Sequence, residues 1–264
     1  MESNTSNSEH KPVFILGSGR SGTSILTGAI RSGGKIDGYL EGHFLPLMLL
    51  LMKEIERFYF SKRALLDDNR HMIANISQEE IEQDIMDLFR RKAEALATSP
   101  IWLDKSPDSA TIKMAPYIIK TWPQARLIFA KRRGIENIIS RLKKFPHVSF
   151  EQHCLMWVDC MKSWLLVKDS LNNYLEIDQR QIALQPDEIA QKIGDFLELN
   201  PSKVDNIKNI FVNQRPQSTG SKETQSAIDI QKTGWTNEEI AIFRKHCTEV
   251  SEKFGYSESS SYYL

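Results

Sequence analysis

The sequence carries no surplus of charge, since 34 Lys and Arg side chains meet 34 Asp and Glu. A general nucleic-acid binder draws its affinity from a global excess of positive charge, so that class is excluded and any anion site must be built locally. Cysteine is scarce. Cys154, Cys160 and Cys247 show no CxxC spacing and no partnering His pattern, which excludes a disulfide frame or a zinc site. Reduced thiols of this kind fit a cytoplasmic protein, with Cys154 and Cys160 as helix-packing residues. Long apolar runs are missing too. The longest, Leu45 to Met52, contains Pro46 and reaches about half of the ~20 residues that a transmembrane segment needs. Met1 to His10 is polar and lacks an apolar stretch behind a basic one, so it reads as a disordered tail and not as a signal peptide.

What remains suits one domain over residues 11–264, a length that buries enough surface to fold without staples. Pro12 to Leu16 reads as a strand, Ser21 to Ile30 as a helix, and Ile36 to Leu40 as a second strand. Leu47 to Phe60 is helical, and Ser77 with Glu80 makes a capping box that opens a helix to Leu96. Further strands are expected at Ile101 to Asp104, Ala125 to Ala130 and Asn173 to Ile177. Helices are expected at Thr111 to Lys120, Gly134 to Leu142, Phe150 to Ser170 and Pro186 to Leu197. Residues 213–231 read as a mobile loop, and Thr236 with Glu239 caps a last helix. Strands alternating with helix-length crossovers demand a central parallel sheet covered on both faces, a three-layer α/β sandwich. Ligands of such sheets bind beyond the carboxyl ends of the strands.

Gly17 to Ser24 follows the first strand with the outline GxxxxGx[ST]. Its glycines and the following helix start suit an anion, as in P-loop nucleotide-binding folds. The lysine of a nucleoside-triphosphatase loop is missing. Thr23 stands in its place, and Arg20 lies inside the loop instead. A second cationic element closes the strand at Ala130: Lys131, Arg132 and Arg133 precede a helix start, with Ser140 about two turns further on. Two anion sites suit a nucleotide phosphorylated at both ends, and ATP has no 3′ phosphate to fill the second.

Gly19, Arg20, Ser21, Gly22, Thr23 and Ser24 resemble the 5′-phosphosulfate loop of sulfotransferases that use 3′-phosphoadenosine-5′-phosphosulfate (PAPS). The likeness extends over most of the chain and is nearest the bacterial and tyrosylprotein branch. It implies that Arg132 and Ser140 hold the 3′ phosphate, although Arg133 stands where many members carry an acid and competes with Arg132. It implies Glu41 as the catalytic base and Arg20 and Lys105 as the cations that assist the leaving oxygen, while His43 is the rival base because an ordinary imidazole titrates near neutral pH. The donor would be PAPS, the product adenosine 3′,5′-bisphosphate, and no metal is implied. The expected acceptor is a hydroxyl of a carbohydrate, a lipid or another small molecule, with protein tyrosine as the alternative. Phe44, Leu47, Met48, Phe58 and Tyr59 are available to line its pocket. Arg215, Lys222 and Lys232 are further candidates for the nucleotide, and Trp235 either stacks on adenine or packs beside the last helix. A kinase-like phosphotransferase and a nucleotide-binding scaffold without catalysis are the competing classes.

Overall fold

In a computed structural model, which describes residues 10–213 and 227–259, the apolar run Val13–Gly17 forms β1 with every residue buried. A strand buried on both faces is what a parallel sheet requires. It is followed by α1 (Thr23–Ser32), β2 (Gly38–Tyr39), α2 (Leu45–Lys62) and α3 (Gln78–Leu96). Then come β3 (Leu103–Lys105), α4 (Ser109–Lys113), α5 (Ala115–Thr121), β4 (Arg126–Lys131), α6 (Gly134–Lys144) and α7 (Phe150–Val167). The chain continues through β5 (Tyr174–Asp178), α8 (Gln179–Leu184), α9 (Pro186–Leu197), α10 (Pro201–Asn213) and α11 (Asn237–Lys253).

The five strands are all parallel, in the order β2-β3-β1-β4-β5. Side chains alternate across β1 and split the core in two. Phe14 and Leu16 join Met48, Trp157 and Phe243 on one face, while Val13 and Ile15 join Leu26, Ile193 and Ile207 on the other. This is the three-layer α/β sandwich. The chain leaves β1 toward β3 and β2 on one side and later returns to β4 and β5 on the other. The carboxyl end of β1 is therefore the switch point, where such sheets bind ligands. The register sets Ile15 of β1 beside Lys105 and Gly17 beside Ala130, so the ends of β3 and β4 flank the loop after β1.

Some elements differ from the sequence reading. The stretch Thr111 to Lys120 is two helices meeting at Met114, because Pro116 has no N–H to continue the ladder. Strand β2 holds two residues, since only Leu103 and Asp104 of β3 pair with it. Helices α8 and α10 were not expected. Asn213 closes α10 and is exposed, while at the other described end of the expected mobile loop Ala227 and Ile230 are buried and Ile230–Lys232 forms a 3₁₀ turn. Residues 1–9 of the expected tail, Arg215 and Lys222 lie outside the described residues. No described helix is long and apolar enough to cross a membrane.

Candidate active site

The loop between β1 and α1 is shaped by backbone that few side chains tolerate. Gly22, the residue before α1, sits at φ 89°, and Arg20 itself takes φ 71°. That conformation suits glycine and costs other residues on the order of 1 kcal/mol. Ser18 and Ser21 are fully buried beneath the turn. The first N–H groups of α1 have no intrahelical acceptor and carry the positive end of the helix dipole.

Helix α6 pins this loop from the β4 side. Arg20 Nε donates to Ser140 Oγ at 3.0 Å, and Arg132 Nη1 donates to the Arg20 carbonyl at 2.9 Å. The buried Asn137 bridges the Gly19 carbonyl and Ser21 Oγ, each at 3.0 Å from Nδ2. Gly19, Arg20, Ser21, Arg132 and Ser140 are thus brought together. Asn137 was missed by the sequence reading, although it lies three residues before Ser140 and so on the same helix face.

The three cations after β4 separate into distinct environments. Lys131 Nζ pairs with Glu176 of β5 at 2.6 Å. Arg133 is 1% exposed, is ion-paired with Glu136, and donates to the carbonyls of Ile228, Ser257 and Ser259. Its guanidinium is consumed in tying α6 to the C-terminal segment. Arg132 bonds to the phosphate-type loop through the Arg20 carbonyl.

On the β3 side, Lys105 is 5% exposed and its Nζ stands 2.8 Å from Glu41 Oε1. The other Glu41 oxygen meets His43 Nε2 at 3.2 Å. The hydrogen bond from Lys105 holds the Glu41 carboxyl below its ordinary pKa, so it is ionised at neutral pH. Asp104 lies beneath the same turn. Burial pushes its carboxyl up to about 6, opposed in part by the Ser106 hydroxyl at 3.4 Å. A Cβ on Gly42 would stand 2.2 Å from Asp104 Oδ1, so only glycine lets the Glu41–His43 turn settle on that carboxylate.

A profile of the sulfotransferase family matches residues 12–203, well over half of the chain. The chain belongs to that family. A protein-tyrosine sulfotransferase of Drosophila melanogaster is 24% identical over 208 residues, covering 73% of this chain. The chain spans 39% of the length of that curated relative. Among solved structures, sulfotransferase STF9 from Mycobacterium avium superposes with a TM-score of 0.51 at 14% identity, over 94% of this chain and 78% of that one. The sulfotransferase domain of the Synechococcus PCC 7002 olefin synthase gives 0.50 at 18% identity, over 94% and 96%. Both likenesses concern the fold.

The residues expected at the acceptor side divide. Phe44 stacks on Phe89 at 4.4 Å, and Met48 and Tyr59 are buried in the packing between α2 and its neighbours. Leu47 and Phe58 are exposed. A largely apolar cavity of about 580 Å³ opens between α2 and α3, lined by Leu51, Ile55, Phe58, Ile76, Ile81 and Ile85. Trp235 packs edge-on against Phe150 at 4.9 Å and lies 5.4 Å from Phe243, which is the packing alternative for that residue. Lys232 is exposed.

Proposed function

We propose that this sulfotransferase-family chain moves a sulfuryl group from PAPS to a hydroxyl oxygen by in-line displacement. The observation that carries the reading is the meeting of Arg20, Ser140 and Arg132, with Nε–Oγ and Nη1–O separations of 3.0 and 2.9 Å. A nucleotide bearing phosphates at both ends needs the loop after β1 and the start of α6 within reach of each other. The local chemistry fits such a donor: a glycine-shaped turn, a helix N-terminus, guanidinium groups and a hydroxyl.

In this reading Arg132 and Ser140 bind the 3′ phosphate, while Gly19, Arg20, Ser21, Gly22, Thr23 and Ser24 cradle the 5′ phosphosulfate. The acceptor oxygen bonds to sulfur as the bond from sulfur to the bridging oxygen breaks. The acceptor proton passes to Glu41, and the electron pair goes to the bridging oxygen of the departing bisphosphate, where Lys105 and Arg20 meet its charge. Glu41 is the stronger candidate over His43 because it is ionised and directly bonded to the buried lysine. Movement of Lys105 toward the leaving oxygen removes the partner that depresses Glu41, so base strength rises as the charge develops. No step calls for a metal.

The acceptor is a small-molecule, lipid or carbohydrate hydroxyl, and the three buried thiols fit a cytoplasmic setting. A tyrosine acceptor is the second reading, favoured by the likeness to the fly protein. Assays with PAPS against phenolic, glycan and tyrosine-peptide acceptors separate the two. Calorimetry tests the donor: adenosine 3′,5′-bisphosphate binds in the presence of EDTA. A preference for ATP with Mg²⁺ would overturn the reading.

A further inference from the structure

Arg141 is a buried cation without a carboxylate partner among the described residues. It follows Ser140 on α6, is 5% exposed, and forms no ion pair with any carboxylate among the described residues. A charge buried without a paired counter-charge is unfavourable, so something must offset it. Its guanidinium is nonetheless carefully held. Nε donates to His153 Nδ1 at 3.3 Å, and Nη2 lies 2.9 Å from Met156 Sδ. His153 Nε2 meets the Phe145 carbonyl at 3.2 Å. An arginine only donates and a carbonyl only accepts, so His153 is neutral with its proton on Nε2. Burial, and then Arg141 itself, depress the His153 pKa and keep it so.

The third nitrogen faces the phosphate-type loop. Nη1 lies 3.2 Å from where a Cβ of Gly19 would stand, so the guanidinium sits close against the loop at this position. Arg20, the next residue of the loop, is close enough to repel Arg141. Arg20 likewise has no carboxylate partner among the described residues and bonds only through Ser140 in its side-chain contacts there. Cys160, whose field would favour the Arg141 charge if it were a thiolate, is neutral because burial pushes its thiol up to about 12. Two guanidinium groups within electrostatic reach of each other, one bonded to the Ser140 hydroxyl and neither paired with a carboxylate among the described residues, offer the donor set of a tetrahedral oxyanion.

We propose that Arg141 is an anion-binding residue of this site, closing with Arg20 and Ser140 on a phosphate or sulfate group, with His153 as its positioning residue. Naming the anion as part of the PAPS donor rests on the function proposed above. The need for a tetrahedral oxyanion does not.

The test uses Arg141→Met, which keeps length and removes charge, and Arg141→Lys. Without ligand, Arg141→Met melts at the same or a higher temperature than the wild type, because an uncompensated charge is gone. Inorganic sulfate raises the melting temperature of the wild type, raises that of Arg141→Lys by less, and leaves Arg141→Met nearly unmoved. Adenosine 3′,5′-bisphosphate binds Arg141→Met roughly 10- to 100-fold more weakly, the loss of one charge-assisted hydrogen bond. Parallel titrations with adenosine 3′- and 5′-monophosphate show which phosphate Arg141 holds, through the one whose affinity drops. A lower melting temperature of Arg141→Met with an undiminished sulfate shift makes the residue structural and overturns the proposal. A sulfate effect that depends on Arg141 in a protein that ignores the bisphosphate upholds the anion site and sinks the PAPS reading instead.

Discussion

Arg20 Nε and Ser140 Oγ, 120 positions apart in the chain, stand 3.0 Å from each other. The contact joins the turn after the central strand to the helix that starts after its neighbour. It also means that Arg20 leans toward α6 and away from the β3 side, where Lys105 holds Glu41. Service at the leaving oxygen therefore requires the Arg20 side chain to turn, a motion its long stem allows. The Gly19 carbonyl and the Ser21 hydroxyl need not follow, because Asn137 anchors both.

Glu41→Gln keeps the shape of the side chain and removes its capacity to take a proton. Turnover falls about 10²- to 10⁴-fold, the usual worth of a positioned base. Affinity for adenosine 3′,5′-bisphosphate stays near that of the wild type, since Glu41 faces the acceptor. Steady-state kinetics and calorimetry on one preparation separate the two effects. Equal losses in both would assign Glu41 to nucleotide binding.

Lys105→Met removes the cation assigned to the leaving oxygen and lowers turnover about 10²- to 10³-fold. It also frees Glu41. The lysine holds the Glu41 carboxyl below its ordinary value, so the acid limb of kcat/KM in the wild type lies below the range of an ordinary glutamate. Without the lysine, the carboxyl rises toward that value and activity begins to fall at a higher pH. An acid limb that stays in place in Lys105→Met would mean that another group titrates there.

The layered sheet was legible because β1 and β4 are short apolar runs followed by glycine or cationic turns, and because Ser77 and Thr236 open their helices with capping boxes that the structure contains. Helix α10 was legible in principle. Val204, Ile207 and Phe211 are buried at helical spacing, but the polar residues between them masked the stripe. The site divides the same way. Gly17 to Ser24 and Arg132 carry local signals, whereas Asn137 and Arg141 acquire meaning only through partners more than a hundred positions away or on the next helix. Asp104 is a plain strand residue until folding sets Gly42 over it.

The choice between Arg132 and Arg133 is open to a paired measurement. Arg133→Gln breaks a buried ion pair and strips donors from three carbonyls, which costs about 3–5 kcal/mol of stability. Arg132→Gln leaves the fold near wild-type stability and weakens the bisphosphate about tenfold or more. Thermal melts beside nucleotide titrations read both quantities. A stable Arg133→Gln with lost affinity would reverse the two roles.

Asp104 ties stability to pH in a direction opposite to that of most carboxylates. Burial raises its pKa from 3.8 to about 6, so the folded state prefers the protonated acid. Below pH 3.8 both states are protonated and the group contributes nothing. As pH rises from there to about 6 a penalty accumulates, and above 6 it is complete. A difference of about two pH units corresponds to on the order of 3 kcal/mol. Asp104→Asn keeps an acceptor toward the Gly42 N–H and replaces the oxygen that accepts from Ser106 with an amide that donates to the Ser106 hydroxyl, without the charge. The variant is therefore more stable than the wild type at pH 7, and its advantage shrinks as pH is lowered through 6 toward 4. Urea midpoints at several pH values, taken for both proteins, cancel every other titrating group in the difference. An advantage that is absent at pH 7, or that does not change with pH, would show that the Asp104 carboxylate is satisfied in the fold after all.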